Sequence, residues 1–176
     1  VGVHFARADV DTDREIVEQF QQMISAAPVL AASIAKAGVS VVGFACTSAS
    51  FFLGKGSDKV IAEQMTAMAG VPTYTTATAA VDALRTVGAK SVAIATPYLS
   101  WVYEAERTFF QEAGFQVVAI NGLERHGGTD ISSISDDEIR ALVADIDRPA
   151  ADAIFVSCTD LPVLDLIDEL ERTHNK

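Results

Sequence analysis

Apolar residues in this chain fall into short runs separated by longer amphipathic stretches, and most runs are closed by glycine, proline or a polar cluster. Residues 1–5 read as the end of a buried strand, with residues 7–13 as its polar exit. Residues 13–36 carry helical spacing, and Pro28 is expected to start a second helix there. Gly38 follows where a C-terminal cap belongs. Residues 39–45 form a continuous apolar run, the mark of a strand covered on both faces. Residues 46–56 are a loop of small side chains. Ser57 or Asp58 caps a helix running to about residue 69, residues 71–74 make a brief strand, and a helix over 76–87 ends at Gly88.

The same rhythm then returns. Residues 90–95 read as a strand and Thr96-Pro97-Tyr98 as the turn leaving it. Residues 100–113 are amphipathic helix closed by Gly114, 115–121 a strand, and 122–133 a polar loop holding Gly127-Gly128. A helix over 135–147 opens with a capping box, Ser135 followed by Glu138 three residues on, and Pro149 ends it. A strand at 153–156 and a helix over about 161–172, with Pro162 in its first turn, complete the chain. Strands alternating with helices predict an α/β protein with parallel sheets and right-handed crossovers. The division falls near Gly88, giving lobes over 1–88 and 89–176.

Two stretches share one grammar. Val41-Val42-Gly43-Phe44-Ala45-Cys46-Thr47-Ser48 and Ile154-Phe155-Val156-Ser157-Cys158-Thr159-Asp160 each run from apolar residues into a cysteine, a threonine and a polar opening to a helix. In open α/β sheets, ligands bind beyond the carboxyl ends of the strands. Cys46, Tyr98 and Cys158 all fall at such ends. Free cysteine is by habit a buried, inert residue, but these two follow their strands rather than sit inside them. A sulfur near helix N-terminal N–H groups is favoured as thiolate. Two thiols facing one substrate carbon would divide into a thiolate and an acid.

Around them, Thr47, Ser48, Ser50 and Thr159 offer hydroxyls and backbone N–H groups suited to a carboxylate or enediolate, as an oxyanion hole is. The competing role is ordinary capping and turn chemistry, which weighs equally for Ser50. Tyr98 is placed to donate to a carboxylate, whereas Trp101 and Tyr103 read as packing residues. Asp160 reads most simply as a helix N-cap beside the pocket. Gly54-Lys55-Gly56-Ser57 fails as a phosphate loop, because glycine follows the lysine and the upstream glycine spacing is absent. His126 reads as a loop residue, with substrate contact as the alternative. His4 and His174 lack metal-ligand spacing, so no metal is expected.

Composition narrows the classes. Of 176 residues, 49% are hydrophobic, and the formal charge of −11 sets the chain against a nucleic-acid backbone, which demands clustered Lys and Arg. No apolar run approaches the roughly 20 residues that span a bilayer, so no membrane partner is expected. No leader is visible, and Val1 is not a natural start. Two cysteines without framework spacing suggest reduced thiols and a cytoplasmic location.

The motifs Cys46-Thr47-Ser48-Ala49-Ser50, Thr96-Pro97-Tyr98 and Ser157-Cys158-Thr159-Asp160-Leu161 resemble those of the aspartate/glutamate racemase superfamily, in its branch of maleate cis–trans isomerases and arylmalonate decarboxylases. The resemblance runs over nearly the whole chain. It implies two pseudo-symmetric α/β lobes, each a parallel sheet flanked by helices, with the active site in the cleft between them. It implies no cofactor, a small carboxylate or dicarboxylate substrate and a homodimer. It also implies that a first strand precedes this chain and a final strand and helix follow it.

In the isomerases the first-lobe cysteine, here Cys46, adds to the substrate double bond, and the second, here Cys158, handles the proton. Thr47, Ser48, Tyr98 and Thr159 would then bind carboxylate oxygens. In the decarboxylases the first position is glycine. In the amino-acid racemases both cysteines work at one carbon, and the first motif usually reads Cys-Asn-Thr. The chain departs from the maleate isomerases in the loop Leu123-Glu124-Arg125-His126-Gly127-Gly128, which lacks their carboxylate-gripping asparagine; Arg125 or His126 would replace it. An isomerase acting through Cys46 and Cys158 is the leading expectation. A decarboxylase, a racemase and a non-catalytic carboxylate sensor are the alternatives.

Overall fold

The computed structural model describes residues 2–176. The chain divides into two compact units, the first ending at Ala80 and the second beginning at Val81, within a helix rather than at Gly88.

The first unit is built on a two-stranded parallel sheet. Strand β1 (Val42–Phe44) pairs with β2 (Thr73–Thr75) in the register Val42–Thr73, Gly43–Tyr74, Phe44–Thr75. Helices α1 (Ile16–Ala35) and α3 (Ser57–Ala69) pack against one another, with the short helix α2 (Thr47–Phe51) between them in sequence. Ala27 and Ala31 of α1, Val42 of β1, and Ile61 and Met65 of α3 form the core of this unit. Burying a Val, Ile or Met side chain contributes about 1.5–3 kcal/mol. Gly43 leaves room for Tyr74. A Cβ there would lie 2.9 Å from the Tyr74 ring, so the tyrosine uses the space a side chain would take.

Besides the loop expected at 46–56, where helix α2 forms, and the covering of β1 on both faces, of which only Val42 is buried, three expectations fail in this unit. Residues 2–5 are not a strand: they have no regular structure and are exposed, Phe5 at 91%; Val1 lies outside the described residues. Pro28 starts no new helix. α1 runs through it as one helix, because the apolar stripe of Phe20, Ile24, Ala27, Ala31 and Ile34 continues at helical spacing across the proline. The packing of that stripe outweighs one lost intrahelical bond. Third, α3 is not capped by Ser57 or Asp58. Its N-cap is Gly56 in the left-handed region, and the Ser57 hydroxyl donates instead to the Ser50 carbonyl at 3.0 Å.

The second unit holds a three-stranded parallel sheet in the order β4-β3-β5. Its strands are β3 (Ser91–Thr96), β4 (Gln116–Gly122) and β5 (Ala153–Val156). Helix α4 (Thr76–Thr86) leads into the unit, and α5 (Ser100–Glu112) follows β3. All six residues of the central strand β3 are buried, as in a strand covered on both faces. Phe110 of α5 packs edge-on to Phe115 and against Phe155 of β5, which pins the helix to the sheet. A short helix α6 (Thr129–Ser132) interrupts the polar loop.

Helix α7 (Asp136–Ile146) opens with the capping box read from Ser135 and Glu138 and buries Ile139, Leu142, Val143 and Ile146. At the opposite edge of the sheet, Asp152 accepts from the backbone N–H groups of Lys90 and Ser91 and from the Ser91 hydroxyl. Those bonds hold its carboxyl below the ordinary range.

The last helix also departs from expectation. Residues 159–163 are turn and irregular backbone, followed by a 3₁₀ turn (Leu164–Leu166) and helix α8 (Ile167–His174). Pro162 therefore sits in a loop, and Asp160 is an exposed turn residue rather than a cap. The α/β class with parallel sheets flanked by helices stands in both units. Among the described residues, no helix is long and apolar enough to cross a membrane.

Candidate active site

Cys46 leaves β1 through Ala45 and becomes the N-cap of α2 in an extended conformation, φ −144° and ψ 104°. This is relaxed backbone for any residue. The Ser50 N–H and hydroxyl both donate to the Cys46 carbonyl, at 3.2 and 2.5 Å. Ser50 is thereby spent on holding the turn, which settles its role as capping rather than substrate binding. The Cys46 sulfur lies 3.8 Å from the Ser48 hydroxyl.

Thr47 and Ser48 are buried, at 3% and 6% exposure. The Thr47 hydroxyl is buried with no hydrogen-bond partner among the described residues. Such a group costs about 1–3 kcal/mol unless something pairs with it.

In the second unit, the chain turns out of β3 through Pro97 into the buried Tyr98. The loop after β4 closes over this turn. Leu123 N–H donates to the Thr96 carbonyl at 3.1 Å and Arg125 N–H to the Pro97 carbonyl at 2.8 Å. Gly122 permits the approach: a Cβ there would lie 2.5 Å from the Tyr98 carbonyl oxygen and 2.7 Å from the Tyr103 ring. Tyr103 is therefore packing, as read from sequence, while Trp101 is exposed at 45%.

The loop that departs from the maleate isomerases is committed to structure. Glu124 accepts from the Ser100 N–H at the start of α5. Arg125 bridges Asp130 and Glu138, at 3.3 and 2.6 Å. The Arg125 charge is thus already paired, by Asp130 of α6 and Glu138 of α7. His126 is exposed and donates its backbone N–H to Asp130. His174 meets Asp147 at 2.9 Å.

Cys158 lies beyond β5 and is half-buried. Its φ of 91° is in the left-handed region, unusual for a residue with a side chain. Thr159 and Asp160 follow as exposed turn residues, and Leu161 N–H donates weakly to the Cys158 carbonyl at 3.4 Å. Both cysteines are thiols.

One residue escaped the sequence reading. Glu106 of α5 is completely buried, and the adjacent Ser157, itself fully buried, donates its hydroxyl to it at 2.5 Å. Burial pushes its carboxyl up to about 8, against the opposing effect of hydrogen bonds from Ser157 and Thr96. The signal was present in the pattern: Val102, Glu106, Phe109 and Phe110 fall at helical spacing on one buried face. A carboxyl on an apolar stripe marks a site with a specific partner.

The family model for arylmalonate decarboxylase matches residues 2–176. An arylmalonate decarboxylase of Bordetella bronchiseptica is 32% identical over 160 residues, covering 88% of this chain and 65% of that enzyme. A maleate isomerase of Nocardia farcinica is 29% identical over 145 residues, covering 79% of this chain and 58% of that enzyme. Among solved structures, the Nocardia farcinica maleate cis–trans isomerase, as a cysteine-to-serine mutant with a covalently bound succinylcysteine intermediate, superposes with a TM-score of 0.83. It is 26% identical, and the match covers 90% of this chain and 67% of that one. The chain thus spans about two thirds of the length of the relatives it matches, and those relatives are enzymes.

Proposed function

The chain belongs to the arylmalonate decarboxylase family, and from that membership we propose that it is part of a cofactor-independent cis–trans isomerase of a small unsaturated dicarboxylate, maleate being the model substrate. The reading is carried by one observation: a thiol at Cys46, at the strand end that opens α2, next to a buried Thr47 hydroxyl with no partner among the described residues. The decarboxylase branch has glycine where Cys46 stands. A solved relative that holds succinate covalently on cysteine supports the chemistry.

The steps balance without a co-reactant. The Cys46 thiolate adds to one alkene carbon, forming a C–S bond, and the π pair moves to the neighbouring carbon. Cys158 supplies a proton there. Rotation about the new single bond follows. Cys158 then takes a proton back, the C–S bond breaks, and the trans alkene leaves with both thiols restored. Thr47, Ser48, Tyr98 and Thr159 hold carboxylate oxygens, lowering the energy of the enediolate-like charge that develops on addition.

A second reading has its own support, since the matched family model and a 32% identical relative are decarboxylases. In it, Cys158 alone protonates the enediolate left by CO₂ loss. Proton NMR of the full protein in D₂O with maleate and with an arylmalonate separates the two. Fumarate from maleate, lost in Cys46→Ala, supports isomerisation. Deuterated arylacetate from the malonate, retained in Cys46→Gly, replaces that reading with decarboxylation.

A further inference from the structure

Cys158 holds a left-handed backbone conformation that is costly for a residue with a side chain and persists only where the surroundings impose it. The residue before it is held from two sides. Ser157 N–H donates to the Ala95 carbonyl of β3 at 2.8 Å, and its hydroxyl donates to Glu106 Oε1 at 2.5 Å. Both Ser157 and Glu106 have zero exposure. Ser157 is gripped from the strand on one side and from α5 on the other, and the chain must turn at the next residue.

The grip is specific. The groups acting on Glu106 are hydroxyls, Ser157 from the end of β5 and Thr96 from the end of β3; no charged side chain contributes. Its Oε2 is buried without a hydrogen-bond partner among the described residues. A carboxylate placed merely for stability would be paired by a cation or left in water. This one is kept out of water and largely neutral around neutral pH, bonded to the residue that precedes Cys158.

We propose that Glu106 is a positioning residue for Cys158, acting through the Ser157 hydroxyl to fix the left-handed turn that presents the thiol. The role rests on the reading of Cys158 as the proton-handling thiol, and one arm of its test is independent of turnover. In the full protein carrying Cys46→Ser, the rate of Cys158 alkylation by iodoacetamide at fixed pH is compared among Ser157→Ala, Glu106→Ala and Glu106→Gln, each checked for a cooperative thermal transition. Loss of the grip in Ser157→Ala or Glu106→Ala is expected to change the rate by about five-fold or more, the scale of one lost hydrogen bond. Glu106→Gln, which keeps an acceptor for Ser157, is expected within about two-fold of the parent on the same scale.

If Glu106→Ala does not fold, Ser157→Ala decides. A folded Ser157→Ala alkylated at the parent rate overturns the proposal, as does Glu106→Gln behaving like Glu106→Ala. With Cys46 restored, Ser157→Ala is expected to lower kcat with little change in KM. If the unsubstituted protein turns over neither maleate nor an arylmalonate while the alkylation pattern holds, the functional reading fails and the positioning role stands.

Discussion

The turns that follow β1 and β5 look alike in sequence and differ in backbone. Cys46 leaves its strand extended and enters a helix at the next residue, with its carbonyl held by Ser50. Cys158 leaves in the left-handed region, passes through an irregular turn and reaches helix only at Ile167. The first turn is relaxed and closed by its own short-range bonds. The second is strained and held by Glu106, 51 positions away in the chain. A thiol that must add to carbon can sit in a settled loop, whereas one that must meet a proton at a fixed place gains from a rigid, over-determined one.

The largest effect expected on this comparison is chemical. Cys46→Ala and Cys158→Ala should each lower turnover of the full protein by roughly 10²–10⁴-fold, the range for loss of a catalytic acid–base group, with circular dichroism unchanged. Near-normal rates in both would remove the reason to compare the turns.

The next effect is on stability and its pH dependence. Below about 4.5 Glu106 is protonated in both folded and unfolded chains, and up to about 8 only the folded chain keeps the proton. Its contribution to stability therefore falls as pH rises through that window, by about 1.4 kcal/mol per unit at most, and levels off above it. Glu106→Gln should remove this slope and be the more stable protein at pH 8. Chemical denaturation at several pH values from 5 to 9 measures it, and parallel slopes for the two proteins would deny the buried neutral carboxyl.

Glycine substitution should then act with opposite sign at the two turns. Cys158→Gly relieves the left-handed strain and should stabilise by up to about 1 kcal/mol, whereas Cys46→Gly loosens an extended residue and should destabilise by roughly 0.5–1 kcal/mol. Equal signs in denaturant titrations would show that the two turns are not different in kind. The smallest effect falls on the closure of the first turn: Ser50→Ala should cost about 0.5–1.5 kcal/mol, the worth of one hydrogen bond, measured by the same titration.

Much of this contrast was out of reach of the sequence. The strand–cysteine–threonine grammar placed Cys46 and Cys158 correctly beyond parallel strands, because apolar runs and strand ends are local properties. The route taken after each cysteine is not. Thr159-Asp160-Leu161-Pro162 reads as a helix start by residue preference, yet the left-handed φ at Cys158 and the turn behind it delay the helix. Pro28 misled in the same way, since packing of the α1 stripe decided what a local signal suggested. The exposed residues 2–5 had strand-like composition and no partner strand to make it real. Glu106 was legible as a carboxyl on an apolar helix face; its partner Ser157 became visible only once α5 lay against the end of β5.

The central claim is that Cys46 bonds to substrate while Cys158 manages the proton. Intact-mass and peptide mass spectrometry of the full Cys158→Ser protein incubated with maleate tests it most directly. The account predicts a gain of one maleate mass located on Cys46, absent from Cys46→Ser. A folded Cys158→Ser protein that forms no adduct, or carries it on another residue, would contradict it.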